Sequence, residues 1–481
     1  MVTEKRQTWA DLTAMLPPAV SREEIDGAWQ EAVASIAGKI IVLDDDPTGV
    51  QTVHGIPVYT SWEPEILRQV FNDPCKLIYI LTNSRALTAE QTEVLHRQIA
   101  RELLKISREQ NIPFQLISRG DSTLRGHYPL ETQVIYEEYQ KAGIPVDGEI
   151  IAPFFLEGGR YTYADVHYVK EGDMLVPAGQ TEFAKDGTFG YKSSDLKEWV
   201  EEKTEGRFPA GRVQSVSLED LRHRNLDRIS EPLLGLKNFN KLVLNAFDYT
   251  DLKIFSISLA QALAQGKRYL YRTAAPFVQV MGGIIPKPIL TKETLYPAGR
   301  NPQPGLIVAG SYVQKTTRQL EKLLASPDLT GVEWDVSKAQ DDEGLEKEVA
   351  RVIKETEAAF QAGRNVCIYT SREYLWRDPL HQKSESNLIF SNRVSLGLVR
   401  VIQGLSSRPG FLVAKGGVTS SDVGVRALKV KRAMVMGQIL PGVPVWHLGP
   451  ESLFPGAPYV IFPGNVGTED SLKAVYEVLK I

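Results

Sequence analysis

Cysteine is nearly absent from this chain: two residues, Cys75 and Cys367, stand far apart among 481. That excludes a disulfide framework and a CxxC metal site, and it suits a reducing cytoplasm. Histidine is scarce as well, and the seven present show no HxH or HxxxH spacing, so a transition-metal site built from protein alone is not expected. No apolar run approaches the roughly 18 residues a membrane span needs, and no signal-peptide pattern opens the sequence. Charge of neither sign dominates. A net charge of −4 argues against a nucleic-acid footprint or a polybasic membrane surface. The phosphate-binding GxxxxGK[ST] and dinucleotide GxGxxG patterns are both missing. What is left is ordinary globular composition, 43% hydrophobic and 24% charged, in a chain long enough for two or three domains.

The densest chemistry lies in KIIVLDDDPTG, residues 39–49. Ile40 to Leu43 form a short buried strand, and Asp44, Asp45 and Asp46 follow at its C-terminal end before Pro47 and Gly49 force a turn. Three like charges on one turn need solvent, a cation or hydrogen-bond donors to take up the charge. A turn with Asp-capped backbone groups accounts for one of them, at most two. In open α/β sheets, ligands bind outside the carboxyl ends of the strands.

Residues 1–38 read as a helical extension, with Ser21 and Glu24 in capping-box spacing ahead of Ile25, Trp29, Val33 and Ile36. From 39 to 285 the pattern alternates strand and helix: 39–43, 76–81, 114–118, 149–155, 241–247 and 269–274 are apolar strands between helical stretches. Continuous apolar strands imply a mostly parallel sheet covered on both faces. Residues 157–215 lack periodicity and read as a long excursion over the ligand edge. The stretch 286–305, with five prolines, is the expected linker and hinge. A second α/β run fills 306–481. The expected fold is therefore two α/β domains with mostly parallel sheets and a site in the cleft between them.

In the front half, polar clusters recur at strand ends: Asn83, Ser84 and Arg85; then Arg119, Asp121, Ser122, Thr123 and Arg125; then Glu157, Gly158, Gly159 and Arg160. Guanidinium forks match carboxylates, and Asp, Ser and Asn suit hydroxyls, which describes a pocket for a small polyhydroxy acid. One such arginine is usually a surface residue; four clusters at successive strand ends point to a site. In the back half, glycine loops stand before helices at 310–311, 415–422 and 462–470. Backbone donors brought to helix N-termini are an ordinary way to hold phosphates, so the three together read as a nucleotide site.

The pieces DDDPTG with Gln51, LTNSR (81–85), RGDSTLRG (119–126), APFF-x-x-GGR (152–160), T-x-F-x-x-D (181–186), GS (310–311), KGGVTS (415–420) and PGNVG (463–467) together resemble the four-carbon acid sugar kinase family, in its order and over nearly the whole chain beyond residue 38. The resemblance implies an acid-sugar domain, an ATP-binding domain, and transfer of phosphate from ATP, with Mg²⁺, to the distal hydroxyl of a threonate, erythronate or oxo-tetronate. Carried onto this chain, Asp45, Arg85, Arg119, Asp121, Ser122 and Arg125 would line the sugar pocket. Ser311, Gly416, Gly417, Val418, Thr419, Gly464 and Asn465 would hold the nucleotide. Asp45 or Asp121 would take the proton of the acceptor hydroxyl. The chain departs from the family pattern at Val418, where many relatives are acidic, and at Pro47, where many have leucine. Expected partners are a sugar acid and ATP, with a homodimer as the oligomer.

Two other readings compete. Asp44-Asp45-Asp46-Pro47-Thr48 fits the D-x-D-x-T of haloacid-dehalogenase-like phosphatases, with Asp44 as nucleophile and Asp46 as acid/base. That scheme leaves the glycine loops without a role. A catalytically inactive ligand-binding relative is the third reading, and Val418 is its support.

Overall fold

The computed structural model describes residues 5–296, 303–311, 313–372, 385–464 and 466–480, with the side chains of 385–389 left aside. Part of the proline-rich stretch (297–302) and Asn465 therefore lie outside the described residues. The chain divides into two compact units, residues 1–52 with 61–286 and residues 53–60 with 287–481. Eight residues from the front of the sequence thus belong to the second unit.

The first unit is built on seven parallel strands in the order Gln214–Val216, Asn240–Leu244, Gly148–Ala152, Tyr269–Thr273, Phe114–Arg119, Lys39–Asp44 and Leu77–Leu81. Successive strand residues point to opposite faces, yet Ile40 to Leu43 and Leu77 to Leu81 are all buried, so both faces are covered. The helices Pro64–Asn72, Ala89–Gln110 and Leu130–Lys141 pack in one group, and Arg22–Ser35, Leu226–Gly235 and Tyr249–Ala264 in another. Two of these helices, Ala89–Gln110 and Tyr249–Ala264, start at a side-chain cap. At Ala89–Gln110, Thr88 and Gln91 exchange side-chain to backbone hydrogen bonds, which satisfies donors the first turn cannot pair.

Three expectations need correction. The extension is not purely helical, because Gln7–Thr8 pairs antiparallel with Met174 and Leu175. Ser21 does not cap through the backbone either; its hydroxyl donates to Glu24 instead. Nor is 157–215 an unstructured excursion: Arg160–Tyr163, Val166–Glu171 and Met174–Pro177 form a small antiparallel sheet completed by Gln7–Thr8. Trp9 seals it, with ring centroids 5.1 Å from Tyr161 and 5.5 Å from Phe247.

The second unit has a mixed sheet. Pro458–Phe462, Leu412–Lys415, Leu306–Ala309, Asn365–Thr370 and Leu329–Trp334 are parallel neighbours in that order. Val443–Leu448, Arg432–Leu440 and Ile56–Tyr59 continue it antiparallel. Its core gathers Ile307, Cys367, Val413, Val460, Phe462 and Tyr476. Among the described residues no helix is long and apolar enough to cross a membrane.

Candidate functional site

In the first unit, three adjacent strands end in charge. Asp44 closes Lys39–Asp44, Arg119 closes Phe114–Arg119, and Arg85 follows Leu77–Leu81 on a short turn entered by Asn83 in the left-handed region. Parallel pairing puts Asp44 opposite both Leu81 and Arg119, so the loops converge. Asp45 is the hub. It is 2% exposed and accepts a fork from Arg85, 2.6 Å from Nη2 and 3.1 Å from Nε, and a third bond of 2.8 Å from Arg119 Nη1. Arg85 Nη1 also lies 3.7 Å from Asp46. The charge of the acidic triplet is therefore answered by two arginines.

Asp44 differs from its neighbours. Its Oδ1 is 3.2 Å from Arg119 Nε, but the two are not aligned as a hydrogen bond and both atoms are buried without another partner. Burial, opposed by Arg119 and reinforced by Asp45 and Asp46, pushes its pKa up to about 8. A raised pKa weighs against an ionised Asp44, the form the phosphatase reading requires of its nucleophile. Gly49 is needed here because a Cβ would collide with the Asp44 carboxylate and with Arg119.

Asp121 accepts from Arg125 Nε at 2.7 Å and from the Thr123 hydroxyl. Burial would raise its pKa, but Arg85 and Arg125 with the Thr123 bond outweigh it and hold the carboxylate below its ordinary range. Both Arg125 and Arg160 stack on Phe183, their Cζ atoms 5.1 and 5.5 Å from the ring centroid. The structure thus brings Asp45, Arg85, Arg119, Asp121 and Arg125 into one charged network.

The loop carrying Asp121 and Arg125 is held by three carbonyls, each gripped from a different place. His167 Nε2 donates to the Ser122 carbonyl at 2.8 Å while its Nδ1 accepts from Thr162, and burial pushes its pKa down to about 4, which keeps that neutral tautomer. The Tyr191 hydroxyl donates to the Thr123 carbonyl at 2.8 Å, and Arg272 Nη2 to the Arg125 carbonyl at 3.1 Å. Ser122 therefore enters through its backbone. Arg272 in turn is paired with buried Glu131, which also accepts from Ser84 and Ser118. Sequence reasoning missed His167, Tyr191 and Glu131, which carry no motif. Arg272 sits at a strand end and was open to the same rule that found Arg119.

In the second unit, the three glycine loops follow strands that are direct neighbours in the sheet. A Cβ at Gly416 (φ +115°) would stand 3.2 Å from Ser311 Cβ, and Thr419 crowds Gly310. Lys415 ties the third loop in: its buried Nζ donates to the Pro463 carbonyl at 2.7 Å and the Gly464 carbonyl at 3.0 Å. Arg372 Nη1 donates to the Ser311 carbonyl at 2.9 Å. Gly417–Ser421 is one short helical turn, and Val418 is 66% exposed on it. Ser311, Gly416, Gly417, Val418, Thr419 and Gly464 are thus brought together.

Among the described residues no cluster of three His, Cys, Asp or Glu side chains is arranged to hold a metal ion. Asp45 is taken by Arg85 and Arg119 and Asp46 accepts from Thr48, so the described residues of the acidic triplet do not form a magnesium cradle of their own.

A first unit with a charged network at its strand ends and a second with glycine loops ahead of helices is the architecture of a two-domain kinase family. A family model for a sugar-binding N-terminal domain matches residues 40–281, and one for a nucleotide-binding C-terminal domain matches 306–472. The chain belongs to the four-carbon acid sugar kinase family. It is 25% identical over 447 residues to a D-threonate kinase of Salmonella typhimurium, covering 90% of this chain and 96% of that one. Among solved structures, a Haemophilus influenzae protein aligns over 92% of this chain and 100% of its own, with a TM-score of 0.61 at 17% identity. A Salmonella typhimurium LT2 protein aligns over the same shares with a TM-score of 0.65 at 16% identity.

Proposed function

We propose that this chain transfers the terminal phosphate of ATP to the distal hydroxyl of a four-carbon sugar acid of the threonate, erythronate or oxo-tetronate class. The observation that carries the reading is the charged network at the ends of three adjacent parallel strands, where Asp45, Arg85, Arg119, Asp121 and Arg125 converge. The guanidinium groups gathered there lend the site a positive field that favours an anionic substrate, and carboxylates favour its hydroxyls. The likeness to a D-threonate kinase supports the substrate class. The loops at Ser311, Gly416 to Thr419 and Gly464 hold the nucleotide, and Mg²⁺ arrives with its phosphates. Phosphoryl transfer asks the protein mainly for positioning and charge stabilisation. Asp121 is the better candidate to take the acceptor's proton, since both oxygens of Asp45 are occupied by arginines while only Oδ2 of Asp121 is.

The test is ADP release from ATP and Mg²⁺ with a panel of tetronic acids. At least one should be turned over, and Asp121→Asn should lose turnover by about a hundredfold or more, in line with the usual value of a general base, while still binding nucleotide. Phosphate release from a phosphorylated sugar acid without nucleotide would favour the phosphatase instead.

A further inference from the structure

Four arginines surround Asp121 and Asp45, and three of them already carry a carboxylate. Arg85 is forked on Asp45, Arg119 lies between Asp44 and Asp45, and Arg125 holds Asp121. A guanidinium fork that is full has little left for a second carboxylate. Arg160 is the exception. No carboxylate lies within 4 Å of it among the described residues, and its Nε is buried without a hydrogen-bond acceptor.

A half-buried cation with no carboxylate in contact, Asp121 acting on it only from beyond 4 Å, is costly, and such a group persists where a ligand completes it. Arg160 does not swing free. Its backbone bridges Phe155 in both directions, and its guanidinium lies on the Phe183 ring that also carries Arg125. A side chain at Gly158 would abut its Nη1 at 2.8 Å, so that glycine keeps the space around the guanidinium open.

We infer that Arg160 is the residue that receives the substrate's carboxylate, and so sets the preference for sugar acids over neutral sugars. This rests on the kinase reading. It moves the anion-binding role from Arg85, Arg119 and Arg125, which hold the aspartates, to the arginine of the third strand-end cluster, which the family resemblance did not carry into the sugar pocket. The substrate's hydroxyls then fall to Asp121 and its neighbours.

The test compares a tetronate that the wild type turns over, threonate or erythronate, with the matching alditol, threitol or erythritol, which lacks the carboxylate. The readout is the ratio of kcat/KM for acid over alditol. Arg160→Gln should lower that ratio at least a hundredfold, chiefly by raising KM for the acid, and Arg160→Lys, which keeps the charge but not the fork, about tenfold. Wild type and Arg160→Gln with the same ratio overturn the assignment while leaving the kinase reading standing. If the glutamine variant does not fold, the lysine variant decides, and an unchanged ratio there overturns it equally. A wild type inert towards every tetronate removes the kinase reading and this assignment with it.

Discussion

Arg272 and Glu131 form a 2.6 Å ion pair sealed beneath the loop that carries Asp121 and Arg125. The arginine fills the space under that loop closely: a Cβ at Gly120 would collide with its guanidinium, and one at Gly126 would come within 2.7 Å of Nη2. The pair therefore determines the height at which the loop rides. Burial would raise the Glu131 pKa, but Arg272 and His96 outweigh it and bring it down to about 2. Glu131→Gln leaves the arginine charge buried and uncompensated, a change that typically costs about 3–5 kcal/mol. Denaturant unfolding should show a loss of that order, and a smaller one in the double variant Glu131→Leu with Arg272→Met. A glutamine variant as stable as wild type would mean that the loop is held some other way.

Asp44 makes stability depend on pH in an unusual direction. Its folded pKa of about 8 lies above the ordinary value of 3.8, so between those values the folded state holds a proton that the unfolded chain has released. The contribution is fully present below about pH 4 and is lost as pH rises through about 8. Asp44→Asn, which keeps the shape of the neutral acid, should flatten that decline. Melting temperatures of the two proteins, compared at pH 5.5 and 8.5, check this; parallel pH profiles would show that Asp44 is ionised in the folded protein.

The second unit needs a strand from the front of the sequence. Ile56–Tyr59 pairs with Arg432 to Val435, and the Gly55 amide donates to the Val435 carbonyl at 2.7 Å. A fragment of residues 287–481 lacks this strand and leaves the backbone of Arg432 to Val435 unpaired on that side, an open edge prone to association. It should aggregate or melt well below the same fragment supplied with a 53–60 peptide. Light scattering and thermal melting distinguish the two, and identical behaviour would show that the strand is dispensable.

Much of the parallel α/β plan was legible. Runs such as Ile40 to Leu43 and Leu77 to Leu81 are apolar throughout because both their faces are covered, and a strand of that kind announces itself in sequence. The short strand Ile56–Tyr59 and the small sheet at 160–177 were not. Ile56–Tyr59 is four residues long, and Arg160–Tyr163, Val166–Glu171 and Met174–Pro177 are irregular in pattern because pairing within the small sheet and with Gln7–Thr8 holds them more than periodicity does. The charged residues at strand ends were visible because the strand-end rule is local. His167 and Tyr191 were invisible because each acts on a loop tens of residues away through a single carbonyl, and Glu131 because it acts on the adjoining loop only through Arg272, 141 residues on.

Sequence alone determined where charge and glycine would gather, since a parallel strand has a defined carboxyl end and the residues after it must lie there. Only the tertiary structure decided which charges cancel. Asp45 could have been a free base and Arg85 a free clamp on any reading of the chain; they are neither, because three strands in register place guanidinium against carboxylate at hydrogen-bonding distance and leave Arg160, of the four arginines of this network, without a carboxylate within 4 Å among the described residues. Neutralisation depends on distances of a few ångströms between residues far apart in the chain, and no local pattern carries that information.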